Sequence, residues 1–156
     1  MHPSVHAREN PDKPAVIMAS SGEIITYGEL DRLSNKVAQL YRSRGVKIGD
    51  TVAICMENHR QFFPVTWGSQ RSGLFQVAIS SRLTADEVSY ILKDSGAKLL
   101  ISSQKMLPVV DRLRELNPDV EQLVFGVDDE RAIEPVLDSM PDTPIADERA
   151  GIDMLY

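Results

Sequence analysis

The sequence has a single cysteine, Cys55, among 156 residues. A lone thiol excludes an internal disulfide and fits a reducing compartment. Basic runs are missing too: 17 Lys and Arg stand against 23 Asp and Glu, for a formal net charge of −6. Binding to nucleic acid needs a clustered basic surface that displaces counterions from phosphates, so the balance argues against that partner. No stretch approaches the ~18 apolar residues of a membrane span, and "MHPSVHAREN" lacks the apolar centre of a signal peptide. These absences predict a soluble chain in the cytoplasm. The nine glycines are dispersed, and none forms GxGxxG or GxxxxGK followed by Ser or Thr. The usual backbone cradle for phosphate is therefore absent. Histidine is scarce as well: His2 and His6 fall in a terminus expected to fray, and His59 falls at a helix start. None has metal-ligand spacing to Cys55 or to a carboxylate cluster.

What the sequence does contain is a core-forming composition, 42% hydrophobic and 26% charged, in a length that suits about one domain. Residues 15–18 and 23–26 flank the turn formers Ser20, Ser21 and Gly22, which predicts a β-hairpin. Thr26 and Glu29 have capping-box spacing and open a helix with an apolar stripe of Leu30, Leu33, Val37, Leu40 and Tyr41. Gly45 is placed to close it in the left-handed conformation.

The pattern then alternates. Apolar, β-rich runs at 51–56, 74–79, 97–102 and 121–127 predict strands. Between the first two, a helix is expected with Asn58 as N-cap, Phe62, Phe63 and Trp67 inward and Gly73 as stop. Pro64 suits that helix only in its first turn, because it removes a hydrogen bond. Thr84 and Glu87 form a second capping box before Val88, Ile91 and Leu92, with Gly96 closing the helix. A further helix runs through Val109, Val110, Leu113 and Leu116 to Asn117-Pro118. After residue 128 prolines and acids accumulate, with a short helix expected around 133–140, and "GIDMLY" reads as a strand opening. The alternation predicts an α/β fold: a mainly parallel sheet of βαβ units with flanking helices and an N-terminal β-hairpin.

Candidate chemistry is sparse. "SSG" at 20–22 precedes a strand rather than a helix, so it reads as the hairpin turn and not as a phosphate loop. Cys55 reads as a small buried residue of a strand. "DDER" at 128–131 reads as a solvated loop or helix start. Phe62, Phe63 and Trp67 have the spacing of a core face, with a ligand pocket as the other reading. The residues alone describe an α/β domain without an evident active site.

The order of motifs nonetheless resembles one family, the AMP-forming adenylating enzymes, and within it the acyl-CoA synthetases. "HARENPDKPAVIM" looks like the start of their N-terminal region. "ITYGELDRLSNKVAQLYRSRGVKIGDTVAICMEN" resembles the segment of their first core motif, carried by Thr26, Tyr27, Glu29 and Leu30. "WGSQRSGLFQVAISSRLTADEVSYILKDSGAKLLI" resembles the second, with Gly73 and the turn Arg82-Leu83-Thr84. The likeness runs from about residue 6 to 127 and returns at "GIDMLY". It departs at Ala78, Ile79, Ser80 and Ser81, where the family has Pro, an apolar residue and Asn before the Arg-Leu pair.

The resemblance implies that residues 1–127 form the N-terminal α/β subdomain of the adenylation domain. Residues 128–156 would be an acidic, proline-containing connector leading to a phosphate loop that this sequence does not contain. Members of the family use ATP and magnesium to turn a carboxylic acid into an acyl-adenylate, then pass the acyl group to coenzyme A. A fatty acid is the implied substrate, and the chain by itself is expected to be inactive, since the phosphate loop and catalytic Lys lie beyond these motifs. No catalytic and no metal-binding residue is therefore assigned here. One residue carries over: Arg82 matches an arginine of related ligases that meets the nucleotide end of coenzyme A, and a guanidinium suits bidentate phosphate binding. An interdomain salt bridge is the other role open to it. An aryl-CoA ligase or a peptide-synthetase adenylation domain fits the same superfamily, and a non-catalytic α/β interaction module fits the residues alone. A coding sequence continuing past Tyr156 into a Ser/Thr/Gly-rich loop would favour the ligase. Helices that pack on a missing remainder would expose apolar faces, so a homo-oligomer is expected.

Overall fold

A computed structural model describes residues 2–156. The N-terminus is not frayed: residues Ser4–Glu9 form helix α1, which packs on α2 (Tyr27–Ser43). Between them strands β1 (Pro14–Ile17) and β2 (Ile24–Thr26) pair antiparallel as the expected hairpin. Thr26 caps α2 by accepting from the Glu29 amide at 3.2 Å. The expected reciprocal bond is replaced, because the Glu29 carboxylate pairs with Arg60. A cation 31 residues away outcompetes the local amide. Gly45 ends α2 at φ 74°.

Five strands make one parallel sheet: β3 (Thr51–Cys55), β4 (Phe75–Ile79), β5 (Ala97–Ser103), β6 (Glu121–Phe125) and β7 (Ile152–Met154), in the order β6-β5-β3-β4-β7. Helices α3 (Phe62–Arg71), α4 (Ala85–Ser95), α5 (Leu107–Leu116) and α6 (Glu134–Ser139) cover it. A 3-10 turn, Gln104–Met106, leads into α5. The all-buried β3 explains the unbroken apolar run from Thr51 to Cys55, since both its faces are covered. Val52 and Ile54 pack with Leu40 and Tyr41 of α2, Val65 of α3 and Leu137 of α6. Ala53 and Cys55 pack on the opposite face with Val88 and Leu92 of α4 and Val110 and Leu113 of α5. Helix α4 carries both halves of its capping box, and Gly96 closes it at φ 65°.

Helix α3 departs from expectation. Asn58 is not its cap, because a turn at 58–61 delays the helix to Phe62 and puts Gln61 at the N-cap. Pro64 then falls in the first turn, as its chemistry requires. Val65, Gly68, Ser69 and Arg71 face inward, and of the aromatics expected there Phe62 packs against the core while Phe63 is 45% exposed. Residues 128–156 also join the fold. Ile133, Leu137 and Ile145 are buried, and β7 pairs with β4 through Phe75, Gln76 and Val77. The segment before β7 is strapped down by Asn35 to Asp142 O at 2.9 Å and Gln39 to Thr143 O at 2.9 Å. Arg71, 2% exposed, pairs with Asp31 at 2.7 Å and with Glu148 at 2.8 Å.

Candidate functional site

The connections leaving the central strands diverge. The chain leaves β3 into α3 on one face and leaves β4 and β5 into α4 and α5 on the other. Where adjacent parallel strands send their helices to opposite faces, a crevice opens beyond their C-terminal ends, and ligands bind there in such sheets. Three loops meet at this edge: Glu57–Gln61 after β3, Ser80–Thr84 after β4 and Gln104–Met106 after β5.

Arg82 lies in the loop after β4, exposed, with its backbone N–H donating to Ser80 Oγ at 3.3 Å. Its guanidinium takes part in no hydrogen bond or ion pair among the described residues. Thr84, two residues on, is locked into the cap of α4, so the turn has a fixed exit. The residues present here could hold one phosphate through Arg82. They do not by themselves form a triphosphate site. Among the described residues no three His, Cys, Asp or Glu groups gather where a metal could be held.

Two groups in the loop after β3, Glu57 and His59, make contacts that gave no signal in the sequence. Ser103 Oγ, at the end of β5, donates to the Glu57 carboxylate across 46 residues. His59 stacks on Phe125 with ring centroids 5.5 Å apart. The crossover that places β5 beside β3 creates the first contact, the next crossover, which adds β6 beside β5, creates the second, and no local spacing encodes them. Cys55 is buried in β3, and burial, assisted by the Glu57 charge, pushes its thiol up to about 11. At neutral pH it stays protonated and unreactive.

His2 is held rather than frayed. Its ring meets Trp67 edge-on at 5.1 Å, and burial lowers its basicity. Asp128, Asp129 and Glu130 form the expected solvated loop, whereas Arg131 is buried at 8% exposure and clamped by Asp129 and Asp111, which anchors it. Asp129 is held down at about 2 by hydrogen bonds from Arg131.

The sequence profile of the family described as AMP-binding enzyme matches residues 4–150. The chain belongs to the AMP-binding enzyme family. A fatty acid–[acyl-carrier-protein] ligase, ScoC of Streptomyces coeruleorubidus, is 36% identical over 116 residues, covering 74% of this chain and 22% of the ligase. A solved fatty acyl CoA synthetase of Mycobacterium tuberculosis superposes with a TM-score of 0.87 at 27% identity, over 99% of this chain and 31% of that one. The N-terminal domain of FACL13 from Mycobacterium tuberculosis, solved with an inhibitor, gives 0.82 at 28% identity, over 92% and 36%. The fold is thus that of the N-terminal part of adenylating enzymes. The chain spans about a fifth of the length of its curated relative, 22%.

Proposed function

We propose that this chain is the N-terminal part of an AMP-forming acid–thiol ligase that activates a carboxylic acid, a fatty acid by preference, as its acyl-adenylate. The observation that carries the reading is the family match over residues 4–150 together with 36% identity to a fatty-acid ligase. In the whole enzyme a carboxylate oxygen attacks the α-phosphorus of ATP, with magnesium bound to the nucleotide, and pyrophosphate leaves. The thiol of coenzyme A then displaces AMP. In this reading residues 128–156 connect the subdomain to the phosphate loop, with β7 beside β4 aiming the chain at the ligand-binding edge of the sheet.

What this chain contributes is scaffold and one contact. Arg82, unpaired at the strand ends, would dock a phosphate of coenzyme A. The adenylating groups themselves are not among these residues, so the chain alone is expected to be inert. Preorganised cations and amides at the reacting phosphate are what lower that barrier. The protein acts in the cytoplasm, a setting that suits its buried, reduced Cys55.

Exchange of labelled pyrophosphate into ATP, measured across a panel of fatty and aryl acids, tests this reading. The 156-residue chain should show no exchange above background. The enzyme extended through the phosphate loop and C-terminal domain should exchange with fatty acids. Turnover by the chain alone, or an extended enzyme that takes only aryl acids, would overturn the reading.

A further inference from the structure

We propose that the cavity between the hairpin and the C-terminal end of β3 is a binding site for a small apolar cation, a compact amine on an aromatic or branched hydrocarbon body. The cavity encloses about 510 Å³, within the range of small-molecule sites. Met18, Met56, Phe62 and Phe63 give it an apolar wall, and Glu57 and His59 supply convergent polar groups.

Charge decides which ligand fits. Glu57 accepts from Ser103 on Oε2, and Ser103 is itself buried at 2% exposure, so the carboxylate is fixed from beneath. Its Oε1 has no hydrogen bond or ion pair among the described residues. His59 Nδ1 accepts from the Gln61 amide at 3.2 Å, which leaves Nε2 as its free ring nitrogen. Arg60, the cation of the same loop, is committed to Glu23 at 2.6 Å and to Glu29. Arg60 is therefore not free to neutralise Glu57. A protonated amine would pair with the free oxygen of Glu57, while the aromatic rings of Phe62 and Phe63, edge to face at 5.8 Å, attract a cation and pack on its hydrocarbon. A carboxylate would be repelled at the same place. The inference does not rest on the ligase reading.

The test compares three probes of one shape: 2-phenylethylamine, 2-phenylethanol and phenylacetate. Each is titrated into the chain while backbone amide shifts are followed by NMR. The amine should give saturable shifts at Met18, Glu57, His59 and Phe63, binding roughly tenfold more tightly than the alcohol, with phenylacetate weakest. Glu57→Gln should reduce the amine to the affinity of the alcohol and leave the binding of the alcohol in place. Equal affinity of the three probes, no saturable binding of the amine, or shifts mapping elsewhere overturns the proposal. That comparison needs no variant, so it decides even if Glu57→Gln does not fold. An amine preference that survives Glu57→Gln overturns it as well.

Discussion

Gly68 shows how far a single side chain can be constrained by a packing partner. A Cβ built there would lie 2.4 Å from Val37 Cγ1, because α2 and α3 cross at this point. Gly68→Ala must therefore force the two helices apart, and it should cost about 1–3 kcal/mol in urea unfolding. The intrinsic helix propensity of Ala would favour the reverse, so a stabilised variant would sink this account of the crossing. Arg82 is the opposite kind of residue, exposed and unpaired, and its removal should leave the fold intact. In the extended enzyme Arg82→Ala is expected to raise KM for coenzyme A while pyrophosphate exchange continues at the wild-type rate. An unchanged coenzyme A dependence would remove it from the site. The sequence marks Arg82 only through its family resemblance. It gives no sign of Glu57, whose partner Ser103 arrives by a strand crossover.

At the level of elements, local signals and long-range contacts divide the outcome. Helix α4 is legible from end to end: its capping box, apolar stripe and terminal glycine are all local in sequence. Helix α2 has the same opening spacing, yet Arg60 takes Glu29 away from the box. The N-terminus of α3 is misplaced in the sequence reading because a polar Asn58 competes as a cap, whereas the turn at 58–61 postpones the helix. The anchor after β6 carries a pH dependence. Asp129 is held at about 2 by Arg131, below its unfolded value, so the clamp contributes stability above the ordinary carboxylate range. That contribution is lost as pH falls through about 2. Protection of the Val124 and Ile133 amides, which hydrogen-bond across this anchor, should fall over that window and stay flat above pH 5, once the intrinsic pH dependence of exchange is divided out. Protection that does not change with acid would show that the clamp is not coupled to the strand edge.

The flank of the sheet at β4 and β7 is incompletely covered. Gln76 and Ala78 point away from the face of Val77 and Ile79, and Ala78 is exposed although it lies within the sheet. Leu155 is 89% exposed, Ile152 59%, and the outer edge of β7 has no partner strand among the described residues. An open parallel edge beside exposed apolar side chains favours association. We expect concentration-dependent dimers in light scattering, reduced by Leu155→Lys, and a strict monomer at high concentration would refute this. The local sequence by itself determined the alternation of strands and helices, the hairpin and the caps of α4. Periodicity and turn chemistry act between residues a few positions apart, so they survive in a linear reading. The resemblance of its motifs determined the family. Only the tertiary structure decided the order β6-β5-β3-β4-β7, the inward face of α3 and the meeting of Glu57 with Ser103. Those depend on which surfaces bury one another across tens of residues, a competition that no local spacing records.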